Sequence, residues 1–344
     1  MNGRGAVILL LGGCALLCGG CGTSGNGSIE DGGSPAPDAG DASPSTTPHV
    51  DASSGEASSP GLDASSVVPP PDAGGSPGDG ASPSDGGTGR ASDAAEGDAG
   101  AQPFKGVANS ACADLVTFGV SWWYNWTLSP SGCTSKPFVP MIWGHTGSEQ
   151  TAAGITSEVN SIVSAGYKYV LGFNEPDNTG QSNLEVATAI SLWPSFNHPS
   201  LQIGSPAPQG KSTGLTWLQD FMTQVNADTT GTLRVDFIAT HWYGWNTGSC
   251  DAQAAGLESW IAGVEAIPGN RPIWITEWGC LNDSNPDVAT VQAFFSGALK
   301  MFAKHPRIVR YAWYPWETNN ELVNADGGAL TSLGTVFTAA PSLQ

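Results

Sequence analysis

Gly172-Phe173-Asn174-Glu175-Pro176-Asp177 and Ile275-Thr276-Glu277-Trp278-Gly279 are two phrases of one kind, in which an apolar run delivers a single glutamate into a loop rich in Asn, Pro, Trp or Gly. Outward from them, six more short apolar runs can be read, so that the set is Phe104 to Ala108, Gly119 to Asn125, Phe138 to Trp143, Tyr167 to Phe173, Leu201 to Ser205, Val235 to His241, Pro272 to Thr276 and Ile308 to Trp313. Between the later runs, Asn183 to Trp193, Leu215 to Val225, Ala252 to Ala266 and Val288 to Lys304 repeat apolar residues three or four apart, which predicts helices. Strands alternating with helices imply a parallel sheet. Eight such strands in the roughly 240 residues from Phe104 onward fit one α/β domain, a single (β/α)8 TIM barrel. Only a short segment near Asp114 is free to connect the first two strands.

Composition divides the chain at the same point. Every Phe, Trp and Tyr lies at Phe104 or later. Residues 22–103 are Ser, Pro, Ala, Gly and Asp in loose repetition, too poor in apolar surface to offset chain entropy, and read as a disordered tether. That tether holds 13 acidic residues against Arg90 and carries most of the formal net charge of −19. The barrel portion, 104–344, is also acidic and has no basic stripe, which argues against nucleic acid or an anionic membrane as ligand. Residues 1–21 read as a signal peptide, with an apolar run from Ala6 to Leu17 too short to span a bilayer. Small residues precede Cys14 and Cys21, so the exported chain is expected to be either secreted or lipid-anchored at the bacterial cell surface, with Cys21 favoured over Cys14 or Cys18 as the anchor site. Membrane contact would be through that anchor alone, and the exported chain is expected to act as a monomer.

Four cysteines remain, Cys112, Cys133, Cys250 and Cys280, and export favours their oxidation. Of the three pairings open to them, Cys112 with Cys133 and Cys250 with Cys280 would each tie loops after neighbouring strands. None has the close paired spacing of a zinc site, so no metal is expected.

In a barrel of this kind the loops at the carboxyl ends of the strands form the active face. Glu175 and Glu277 follow the fourth and seventh runs, on opposing sides of that mouth. Two carboxyl groups suffice to break a glycosidic bond without a cofactor: one protonates the leaving oxygen and the other meets the positive charge growing at the anomeric carbon. A separation of about 5–5.5 Å, that of retaining enzymes, is expected. His241 and Tyr243, two apart on one side of a strand end, are candidate donors to Glu277. Sugar rings stack on indoles, which makes Trp123, Trp143, Trp278 and Trp313 candidate walls, Trp313 first as the platform, with Asn125 as a polar contact. Trp217 and Trp260 fall on helices and read as packing; His198 and His305 read as solvated.

The domain resembles glycoside hydrolase family 128, endo-β-1,3-glucanases of the retaining clan A. The markers, in order, are Trp122-Trp123-Tyr124-Asn125-Trp126, Phe138-Val139-Pro140-Met141-Ile142-Trp143, Leu171-Gly172-Phe173-Asn174-Glu175-Pro176, His241-Trp242-Tyr243-Gly244, Ile275-Thr276-Glu277-Trp278-Gly279 and Tyr311-Ala312-Trp313-Tyr314. The resemblance implies Glu175 as acid/base, Glu277 as nucleophile, and Asn174 as hydrogen-bond partner of the sugar 2-hydroxyl. It implies β-glucan as substrate. An arginine common early in the clan's barrels has no counterpart here, which leaves part of the network around Glu277 unassigned. Fold and carboxylates do not choose the linkage, so β-1,4-glucan or mannan, or binding of glucan without cleavage, are the competing readings.

Overall fold

A computed structural model describes residues 102–144, 147–244, 250–281, 286–325 and 328–343. The expected leader, its cysteines and the tether lie outside the described residues but for Gln102 and Pro103. Seven strands are formed: β1 (Phe104–Ala108), β2 (Trp122–Tyr124), β3 (Tyr169–Val170), β4 (Gln202–Ile203), β5 (Ile238–Trp242), β6 (Ile273–Trp278) and β7 (Ile308–Trp313). They pair in parallel as β2-β1-β7-β6-β5 and β3-β4. The run expected as a third strand, Phe138 to Trp143, is no strand. It makes two isolated parallel bridges, Phe138 with Trp123 and Met141 with Leu171. Pro137 and Pro140 are the reason. Each offers a carbonyl, to Trp123 N–H and Leu171 N–H, but neither has an N–H to extend the ladder. A further bridge joins Gly204 to Phe237, just ahead of β5. The result is an α/β fold of parallel strands, consistent with a TIM-like barrel.

Among the described residues seven helices accompany the strands: α1 (Cys112–Thr117), α2 (Ala152–Ser164), α3 (Val186–Leu192), α4 (Ser212–Ala227), α5 (Ala255–Glu265), α6 (Val288–Phe302) and α7 (Ser332–Ala339). Thr151, Asp287 and Thr331 cap α2, α6 and α7 by accepting backbone N–H groups with their side chains. α3 stops short of Trp193, where Pro194 turns the chain into a 3-10 segment over Trp193–Phe196. Apart from bulges in β6 and β7, strand residues alternate between two apolar clusters. Val107, Trp123, Ile273, Ile275, Tyr311 and Trp313 face the helices; Trp122, Tyr124, Phe237, Trp274 and Ala312 face the other way and share a second cluster. Trp217 and Trp260 pack as expected, their N–H groups reaching Leu184 O and Thr240 Oγ1. His305 departs from expectation: it is half-buried, with Nδ1 3.0 Å from Glu265 Oε2.

Both expected disulfides are present, Cys112–Cys133 and Cys250–Cys280, with Cα atoms 5.5 and 5.7 Å apart. The second ties the segments following β5 and β6, the two strands that carry His241 and Glu277. The far end of the chain is fastened by Lys105, whose side chain is buried in β1. Its Nζ donates to the carbonyls of Phe337, Thr338 and Ala340 at 2.9–3.1 Å, the last acceptors of α7. Lys105→Met removes these three bonds, leaving Phe337 O only the Ala340 N–H, and should cost about 2–3 kcal/mol by urea denaturation; an unchanged midpoint would show that the clamp contributes nothing.

Candidate active site

Glu277 lies inside β6 rather than in a loop after it, and a bulge aims it. Ile238, Ala239 and Thr240 of β5 pair with Ile273, Trp274 and Ile275, but the next partner of β5, His241, pairs with Glu277. Thr276 is therefore an extra residue. Without it, the alternation that turns Trp274 away from the helices would turn Glu277 toward them; with it, Glu277 emerges on the same side as Trp274 and Tyr124. Four donors surround its carboxylate. Oε1 accepts from Tyr124 Oη at 2.9 Å and Trp126 Nε1 at 2.6 Å. Oε2 accepts from Tyr243 Oη and stands 3.6 Å from His241 Nδ1.

Glu175 is placed by the bend that follows β3. Gly172 lets the chain pass close to its neighbours, since a Cβ there would meet Trp193 at 2.8 Å and the Gly204 carbonyl at 2.9 Å. One residue after the parallel bridge of Asn174 with Ala207, the backbone turns into left-handed conformation at Glu175, φ 39°. A non-glycine residue held there stores about 1–3 kcal/mol. Glu175 N–H bonded to Ala207 O (2.8 Å) and Asn178 N–H bonded to Glu175 O (3.0 Å) hold it. The carboxylate accepts from Asn178 Nδ2 at 2.9 Å, and His241 Nδ1 lies 3.2 Å away.

His241 thus bridges both glutamates, closer to Glu175 than to Glu277, the partner expected for it. It is fully buried. Burial alone would lower its pKa, but the charge of Glu277, the hydrogen bond and charge of Glu175 and the charge of Asp177 together raise it above the ordinary imidazole value. Burial first and the Glu277 charge second push Tyr124 and Tyr243 well above the usual phenol range, and burial then Glu277 raise Tyr314 as well. These hydroxyls remain proton donors at any working pH. One donor atom from each of Glu175, His241 and Glu277 falls within 4.8 Å of the others, a triplet that could geometrically hold a cation. Both oxygens of Glu277 already accept hydrogen bonds, a shell that suits a solvated anion better than a metal ligand.

The structure brings together Glu175, Glu277, His241, Tyr243 and Asn174. Asn174 Nδ2 donates to Gln181 Oε1, while its Oδ1 is buried without a hydrogen-bond partner among the described residues. Trp143 is half-buried and its carbonyl accepts Asn174 N–H, which keeps it beside this loop. Four candidates are corrected. Trp278 and Trp313 are fully buried on the helix side of the sheet, edge to face with each other at 4.8 Å. Trp313 donates to Asn320 O, so it is no sugar platform. Trp123 is buried on the same side against Phe138. Parity in the strand decides all three: each neighbours an inward residue and so points outward. Asn125 is consumed locally, its Oδ1 accepting from Thr127 and its Nδ2 donating to Ser129 O. That turn presents Trp126, itself left-handed at φ 62°, to Glu277. Tyr124, Trp126 and Asn178 were not singled out as site residues from sequence. Strand parity with Trp122 would have found Tyr124; nothing local to Trp126 or Asn178 announces a role.

Two buried carboxylates joined through His241, in a parallel α/β fold, suit the chemistry of a glycoside hydrolase. A family profile described as "Glycosyl hydrolase catalytic core" matches residues 103–337, and the chain belongs to that family, within it to glycoside hydrolase family 128. A subgroup I endo-β-1,3-glucanase of that family from Amycolatopsis mediterranei, solved in complex with laminaritriose, is 31% identical with a TM-score of 0.57, over 68% of this chain and 98% of its own. A subgroup II endo-β-1,3-glucanase from Sorangium cellulosum is 30% identical with a TM-score of 0.58, over 69% and 98%. Alkali-sensitive linkage protein 1 of Schizosaccharomyces pombe is 30% identical over 240 residues, 65% of this chain, and this chain spans 41% of that protein's length.

Proposed function

We propose that the protein is a (β/α)8 barrel that hydrolyses β-1,3-glucan internally with retention of configuration, Glu277 as nucleophile and Glu175 as acid/base. The observation that carries the reading is the approach of the two carboxylates to within 4.8 Å, near the retaining spacing and short of the roughly 6.5–9.5 Å that leaves room for an inverting water. The bridges that link β2 through Phe138 and Met141 to β3, and β4 to the start of β5, support closure of the barrel.

In the first step Glu277 Oε2 forms a bond to the anomeric carbon as the carbon–oxygen bond to the leaving sugar breaks, and that oxygen takes the proton of Glu175. In the second, Glu175 removes a proton from water, the water oxygen bonds to the anomeric carbon, and the ester bond to Glu277 breaks. Asn178 and His241 face Glu175 and stabilise it as it becomes a carboxylate. Asn174 Oδ1 accepts from the 2-hydroxyl of the reacting sugar. Trp316, 52% exposed with its N–H on Ala108 O at the end of β1, offers an indole face to a further ring.

The laminaritriose complex of the Amycolatopsis enzyme supports β-1,3-glucan as the ligand. Incubation with laminarin should release a ladder of short oligosaccharides whose new reducing ends begin as the β-anomer by NMR. Products from a β-1,4 polymer alone would replace the substrate, and binding without products would replace the enzyme by a glucan-binding protein.

A further inference from the structure

We propose that Trp126 is a catalytic hydrogen-bond donor, its indole N–H fixing Glu277 Oε1 as the oxygen that becomes the ester carbonyl and leaving Oε2 to attack; this rests on the nucleophile role proposed above. The two oxygens differ in their surroundings. Oε1 accepts from two donors, Tyr124 and Trp126, as many as its two lone pairs take. Among the described residues Oε2 accepts one hydrogen bond, from Tyr243, with His241 Nδ1 3.6 Å away, which makes it the less saturated oxygen and the one assigned to the sugar carbon. It also lies on the side of Glu175, because His241 Nδ1 reaches Glu175 at 3.2 Å and Glu277 Oε2 at 3.6 Å.

Of the two donors on Oε1, Trp126 is the committed one. Tyr124 has a single hydroxyl proton and two acceptors at nearly equal distance, Glu277 Oε1 at 2.9 Å and Thr276 O at 3.0 Å. An indole N–H only donates. Its acceptor is a carboxylate oxygen, 2.6 Å away. The backbone is bent to provide it: a tryptophan is held at φ 62° by the Asn125 turn, and its ring leans edge-on against Tyr124 and Tyr314.

As Oε2 bonds to carbon, the negative charge of the carboxylate is lost; as the ester is expelled, the charge returns. A fixed N–H on Oε1 aligns the attacking lone pair in the first step and stabilises the departing carboxylate in the second. Trp126 therefore acts on rate rather than on ground-state binding.

The test compares the full chain with Trp126→Phe, and with β-(3-benzothienyl)alanine installed at position 126, which keeps the indole outline and lacks the N–H. On laminarihexaose, kcat should fall by about 10–100-fold in both, the effect of one hydrogen bond to a charged group. KM should stay within about twofold. The rate of covalent trapping by a 2-deoxy-2-fluoro glucoside should fall in parallel, and Trp126→His, which restores a ring N–H, should recover part of the loss. If Glu277→Gln is inactive while the benzothienyl variant keeps full kcat and trapping rate, the Trp126 inference is overturned and the nucleophile stands. If Glu277→Gln is itself fully active, both fall.

Discussion

Glu277→Gly should lose at least about four orders of magnitude in kcat on laminarin, because the proposed nucleophile is gone. Azide should then restore turnover of an activated β-glucoside and yield the α-glucosyl azide, since a small anion enters the space from which the nucleophile attacked. Glu175→Gly should behave differently. A good leaving group bypasses the need for protonation, so the sugar still transfers to Glu277, and azide taking the place of water should give the β-glucosyl azide. The acid/base loss should be about 10²–10⁴-fold on laminarin and small on an aryl glucoside. Opposite anomers from the two variants separate the roles without reference to any relative. Identical products, or rescue of neither, would remove the double displacement. Folding is not expected to confuse the result at Glu277, whose donors are neutral apart from His241 and whose removal leaves no unpaired buried charge of opposite sign beyond that ring.

The two glutamates were legible because each ends a run of strand-forming residues with a side chain that has no place in an apolar core. The strand ends that carry them could be ordered from periodicity alone. What could not be read was the face each neighbour takes. Trp278 and Trp313 sit beside site residues in the chain, and an indole near a strand end reads equally well as a sugar platform or as core. The bulge at Thr276 decides for Trp278, turning Glu277 inward and Trp278 outward together, and bulges leave no mark in a single sequence. The same limit hid Trp126. Its position depends on a left-handed backbone that Asn125 and Thr127 organise, and side-chain chemistry gives no hint that a tryptophan tolerates it. The third apolar run was misread as a strand because its hydrophobicity outweighed its prolines, yet those prolines end the ladder.

Trp278→Ala should consequently destabilise the fold by about 3–5 kcal/mol, the range for emptying a buried aromatic site. Its ring is enclosed by Trp313, Phe294, Phe295, Phe302 and Tyr311, with centroids 4.8–5.8 Å away, all rigid elements that cannot collapse into the space. Trp313→Phe should cost less, about 1–3 kcal/mol, but it removes the N–H that holds Asn320 O. Asn320 in turn pairs with both backbone groups of Cys280, so this change loosens the segment after β6 from the segment after β7. Urea midpoints should therefore fall in both variants, while KM for laminari-oligosaccharides, measured under conditions where each is folded, stays near that of the parent. A sugar platform predicts the reverse pattern, weakened binding at an unchanged midpoint. Finding it for Trp278 would mean that this indole turns toward the ligand, and with it that β6 pairs with β5 in another register from the one that aims Glu277.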